Sequence, residues 1–220
     1  MSSSPQTSEL KRALQEDEPD YDSLARLWPG AFEKVLELLK DDDLLLTSKA
    51  LGLLSRLDVD RAVPVLAKVS ATHEDAANRA AALHALGTYV KRLADDRIGA
   101  DGPRDLRALE LRTARGVPTA KQHNLRVALL QLASAAHRDP QEAVRWVALA
   151  ELDQMLGVRP RALDKVQYLV SRITPAGGST EELEPEEATD RLRLARVRSL
   201  ARRYLRTSTA VGLSRKGSSP

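Results

Sequence analysis

The 220-residue chain contains no cysteine, one phenylalanine and two tryptophans, and aromatic residues make up only 3% of it. Without a thiol there is no disulfide framework, no thiolate metal site and no cysteine nucleophile, and a reducing compartment is the natural setting. So few rings leave the core to Ala, Leu and Val, which suits closely packed helices better than sheets. No apolar run approaches the ~18 residues that a membrane span needs. The opening Met1-Ser-Ser-Ser-Pro-Gln has neither the basic flank nor the apolar stretch of a secretory signal. A soluble, cytoplasmic protein is expected. An excess of one charge is missing too: 34 basic and 31 acidic residues leave a formal charge of +3, which names no partner.

What is present is helical periodicity. Hydrophobic residues reach 42%, far from the disordered range. They recur at helical spacing as Leu51, Leu54 and Leu57, then as Leu83, Leu86, Val90 and Leu93. Helices are predicted near 31–40, 44–57, 61–71, 75–93, 104–115, 120–137, 141–156 and 160–173. Start signals agree: Asp60, Asp75 and Asp139-Pro140 each stand before a predicted helix. Residues 1–30 read as a polar, acidic segment with a short helix over Glu9–Gln15, broken by Pro19 and Pro29. Residues 95–103 read as a loop, 174–186 as a flexible acidic linker, and 207–220 as a disordered tail.

An internal repeat organises the middle. Ala50-Leu51-Gly52 returns as Ala85-Leu86-Gly87, a spacing of 35. Arg79, Ala82, Leu83 and Leu86 have counterparts in Arg145, Ala148, Leu149 and Leu152 at identical offsets. A helix pair cannot bury its apolar face alone, so such units stack into a continuous core. These segments resemble HEAT repeats, especially the bacterial form also found in phycobilin-lyase-type proteins. Asp75, Arg79, Ala82, Leu86 and Gly87 carry the resemblance, with Asp139, Arg145, Ala148 and Leu152. It implies an all-α, short right-handed solenoid of helix pairs over 31–173. It also implies an Asp/Arg ladder between repeats and a concave face made by one helix of each pair. Leu44 stands where that family has arginine, and residues 104–137 follow the pattern poorly. Three helix steps, an odd count, lead from the helix of Arg79 to that of Arg145. Either the loop at 95–103 holds another short helix, or the helix at 141–156 has exchanged faces.

No catalytic signature accompanies the repeat. His73, His84, His123 and His137 lie at no metal-ligand spacing, and there is no nucleophile elbow, phosphate loop or dinucleotide fingerprint. The chain is expected not to be an enzyme and to need no cofactor or metal. HEAT-like DNA glycosylases use aromatic residues and an Asp near the lesion. Here Trp146 is expected to pack between repeats instead, and Asp153 to face water. A HEAT-like glycosylase or a lyase-type enzyme is therefore the least favoured reading.

The final predicted helix, 187–206, is amphipathic and basic. Leu194, Val197, Leu200, Ala201, Tyr204 and Leu205 fall on one arc. Arg191, Arg196, Arg198, Arg202, Arg203 and Arg206 take the other side. Such a helix caps the array or binds phosphates. The leading expectation is a scaffold that binds another protein through the inner helices, using Lys49, Arg56, Arg79, Arg126, Arg145 and Trp146. Nucleic-acid binding through the arginine helix is the alternative.

Overall fold

The computed structural model describes residues 5–28, 30–94, 105–156 and 185–214, and every described element is helical. The predicted helix at 160–173, the loop at 95–103 and nearly all of the linker at 174–186 lie outside these residues. The described helices are α1 (Pro5–Leu14), α2 (Tyr21–Leu27), α3 (Phe32–Leu38), α4 (Leu44–Leu54) and α5 (Val59–Thr72). They continue with α6 (Ala76–Ala94), α7 (Leu106–Ala114), α8 (Thr119–Arg138), α9 (Glu142–Leu156) and α10 (Pro185–Ser214).

Aspartates set most of the starts. Asp20, Asp43, Asp58 and Asp105 each accept a hydrogen bond from a first-turn N–H, as does Asp75 from Asn78 N at 2.8 Å. A cap of this kind contributes about 1 kcal/mol. Asp60 is not the cap expected of it; α5 begins at Val59 on Asp58, and Asp60 falls inside the first turn. Between Pro19 and Pro29 the chain forms α2, because Asp20 caps a segment that ends at Leu27, before the second proline. At the other end α10 outruns the predicted 187–206 by two residues at its start and by about two turns at its end. Residues 207–214, expected as part of a loose tail, continue the helix, and the Ser208 carbonyl accepts Arg126 Nη2 from α8 at 3.5 Å.

The array consists of the pairs α3/α4, α5/α6 and α8/α9. α6 packs between α4 and α9 in one layer, and α5 packs against α8 in the other. The helix at 141–156 has therefore kept its face. α7 is the additional helix: it lies against α8, α6, α9 and α10 instead of founding a pair. That placement explains both the odd helix count and the poor repeat pattern over 104–137. Leu51, Leu54, Leu83, Leu86, Leu129, Leu132, Leu149 and Leu152 are wholly buried or nearly so, in one continuous cluster. Each such leucine stabilises the fold by roughly 2 kcal/mol.

Both ends of the described array are covered. α1 and α2 pack on α4, with Leu10 and Leu14 buried. α10 crosses α8, α9 and α7, burying Val197, Ala201 and Tyr204. The apolar arc of the arginine helix therefore packs over the last described pair, α8 and α9. Among the described residues no helix is long and apolar enough to cross a membrane.

Candidate partner-binding faces

The repeat arginines build the frame. Arg79 donates from Nη1 to the carbonyls of His73 and Glu74, both at 2.9 Å, and Arg145 does the same to Asp139 and Pro140 at 2.7 and 3.1 Å. Each arginine thus clamps the connection leading into its own helix. His73 and Asp139 occupy equivalent places, and each accepts the N–H two residues on, at 3.1 and 2.9 Å. They differ in one respect. Asp139 also takes Arg79 Nε and Nη2 at 2.9 and 3.0 Å, a two-pronged ion pair joining one repeat to the next. Burial alone would raise the Asp139 carboxyl, but the Arg79 hydrogen bonds outweigh it and hold its pKa below the usual range.

The glycine of the repeated tripeptide has a second task. A Cβ on Gly87 would stand 2.0 Å from Oε2 of Glu151, a buried carboxylate of α9. On Gly52 it would stand 2.9 Å from the Tyr21 ring of α2. Glu151 meets His84 Nδ1 at 2.7 Å and the Lys91 ammonium at 3.0 Å. Burial acts to raise its pKa, and these two partners more than reverse that. At the corresponding place in α9 stands Asp153, which is buried and paired with Arg193 of α10. Water does not reach it as expected, because α10 covers that side of α9.

Most of the predicted site residues on the inner helices serve the fold. Arg79 is 7% exposed and held by Asp139, so it is closed to a partner. Arg145 is taken up by its clamp, and Lys49 donates to the Glu16 carbonyl. Arg56 pairs with Asp22 at 3.4 Å, and Arg126 reaches Ser208 on α10. Trp146 is the exception. Against expectation it does not pack between repeats; it is 41% exposed, with Nε1 donating to Glu142 at 3.2 Å.

The repeat register shows what surrounds Trp146. Its counterpart on α6 is Ala80, and on α4 it is Leu45, 65% exposed. One apolar stripe therefore crosses three consecutive helices at the same level. Ala77, His84, Ala143, Ala150 and Gln154 are exposed alongside it. Sequence reasoning missed Leu45, although stacking the units on Gly52, Gly87 and Asp153 places it directly over Ala80 and Trp146.

The arginines of α10 divide into two rows. Arg198, Arg202 and Arg206 are four apart and turn toward α8, where Arg202 Nε donates to His137 Nδ1 at 3.3 Å. Arg196 and Arg203 are exposed on a different side, and the side chain of Arg191 lies outside the described residues. Among the described residues no group of His, Cys, Asp and Glu could hold a metal ion. Trp146 and Asp153 do not share a site, since one faces out and the other is buried against Arg193.

The helix pairs, their side-by-side stacking and the arginine clamps make an all-helical array of stacked pairs, the architecture that the resemblance to HEAT repeats implies. No protein family description and no curated protein matches the chain. The crystal structure of an archaeal HEAT-like repeats protein from Thermococcus onnurineus NA1 is similar to it, at 18% identity over 93% of this chain and 100% of that one. The TM-score is 0.31, too low for that likeness to add weight to the packing described above. It concerns HEAT-like repeats in general and lends no support to the phycobilin-lyase-type form.

Proposed function

We propose that this protein is a non-catalytic repeat scaffold that binds a protein partner on the face formed by α4, α6 and α9. The observation that carries the reading is the stripe of Leu45, Ala80 and Trp146, with two large apolar side chains left in solvent at equivalent positions. Exposed aromatic anchors beside small residues are where binding energy concentrates in protein interfaces. The low stripe of Ala77, Ala80, Ala143 and Ala150 admits a ridge of partner side chains between Leu45 and Trp146, the geometry of an amphipathic helix laid in a shallow groove. The cations once assigned to this face are engaged internally, which favours an apolar contact over a phosphate backbone.

The test is photocrosslinking in the native host from a reactive residue at position 150, with position 68 on the far layer as control. A protein captured from 150 and not from 68 should be lost in L45S/W146S, while the melting temperature stays within a few degrees because both side chains are exposed. Retention of the same partner by that variant would refute the reading.

A further inference from the structure

A second feature, independent of that face, lies between α8 and α10. A hollow of about 570 Å³ opens there, lined by Leu130, His137, Arg138, Arg202, Leu205, Arg206 and Ser208, with no carboxylate in its wall among the described residues. A larger hollow of about 760 Å³ between α3 and α5 carries Glu33, Glu37 and Glu74 beside Lys40 and Lys68, so it has no charge preference. The contrast is informative. Among the described residues neither Arg138 nor Arg202 pairs with a carboxylate, although 31 acids are available in the chain.

The local chemistry is set by Arg202. A guanidinium has no acceptor, so the 3.3 Å contact requires Nδ1 of His137 to accept, which places the ring proton on Nε2 and leaves the imidazole neutral. Burial, and then Arg202, Arg138, Arg198 and Arg206, all lower the pKa of His137. Among the described residues these are the charged groups facing it from α8 and α10, and all have one sign. Cations gathered around a concavity repel one another, and a bound anion relieves that repulsion.

We propose that this hollow binds a small phosphate ester, the phosphoryl group held by Arg138 and Arg202 and the organic part resting on Leu130 and Leu205. Arginine matches the geometry of phosphate oxygens with paired N–H donors. The volume lies within the range of roughly 300–1,000 Å³ usual for small-molecule sites. A small ligand fits better than a nucleic acid because the cations surround one depression. Arg196 and Arg203, which would have to extend a track for a polyphosphate backbone, sit on a different side of α10.

The site carries its own reporter. An anion beside His137 raises its pKa, so binding tightens as pH falls through the histidine range, and the ligand is held best when the imidazole is protonated. The experiment uses the full chain at low salt, titrated with inorganic pyrophosphate and with adenosine diphosphate while the His137 ring is followed by NMR. The proposal expects a higher His137 titration midpoint with either ligand and tighter binding of the nucleotide. R138Q and R202Q should each weaken binding roughly tenfold, the worth of one charge-assisted hydrogen bond, with melting unchanged. Equal affinity for both ligands would overturn the ester and leave a plain anion site. No response of His137, affinity unaltered in both variants, or binding of short duplex DNA without binding of pyrophosphate would each overturn the site itself.

Discussion

The junction between α4 and α6 and that between α6 and α9 are built on the same register and held by different means. Between α6 and α9 run the Arg79–Asp139 pair and the buried Glu151, pinned by His84 and Lys91. Between α4 and α6 neither device exists. Leu44 stands at the place of Arg79, His73 at the place of Asp139, and Gly52 receives a tyrosine from the terminal helix α2. Among the described residues the polar link there is indirect: Asp22 of α2 meets Arg56 of α4 at 3.4 Å and Arg92 of α6 at 2.9 Å. One repeat contact can thus be latched by buried charge, the next by packing with only an indirect, exposed polar link.

The largest test of this contrast is Arg79→Met. It leaves Asp139 buried without its partner and removes the donor from two carbonyls, which should cost about 3–5 kcal/mol in chemical unfolding. Leu44→Met, its counterpart, should change stability by less than about 0.5 kcal/mol. The folded pKa of Asp139 is depressed, so its stabilisation is complete above the unfolded carboxyl value and is lost as pH falls through the lower folded one. Wild type should therefore lose stability on acidification more steeply than the Arg79 variant; parallel pH profiles would refute the latch.

A smaller difference is expected at the glycines. In Gly87→Ala the new Cβ must displace a carboxylate fixed from two sides, and a loss of about 2 kcal/mol should follow. Gly52→Ala pushes on one edge of a half-buried tyrosine, and the gain in helix propensity of roughly 0.5–1 kcal/mol should offset that push. Equal melting temperatures for the two variants would erase the distinction between the junctions.

The smallest effect concerns Asn78, which is fully buried with no partner for its amide among the described residues. Its counterpart in the next repeat is Val144, also buried. Asn78→Val should stabilise the protein by about 1 kcal/mol, raising the melting temperature by a few degrees. A lower melting temperature would show that the amide is satisfied in solution.

The repeat was legible because Ala-Leu-Gly and the Arg79/Arg145 pattern state both period and phase. α7 was not legible as an extra helix, since its apolar spacing is the same whether a helix founds a pair or leans on one. Asp153 read as a surface residue because a charge declares its burial only when its partner is known, and Arg193 is 40 residues away from Asp153. The same ignorance of partners put Lys49, Arg56 and Arg145 in a binding face when they hold the fold together. α2 escaped notice because seven residues are too few to display a period. The amphipathic arc of Val197, Ala201 and Tyr204, by contrast, was legible, with capping one of the two uses it left open, and all three side chains are buried.

The unequal junctions also have a mechanical consequence. A row of stacked helix pairs bends by sliding neighbouring layers past one another. Apolar side chains slide with little directional resistance, whereas a two-pronged guanidinium–carboxylate contact resists shear until it breaks. Under load this chain is stiff from α6 to α9 and compliant from α4 to α6, so curvature concentrates on the side of the array that carries Leu45.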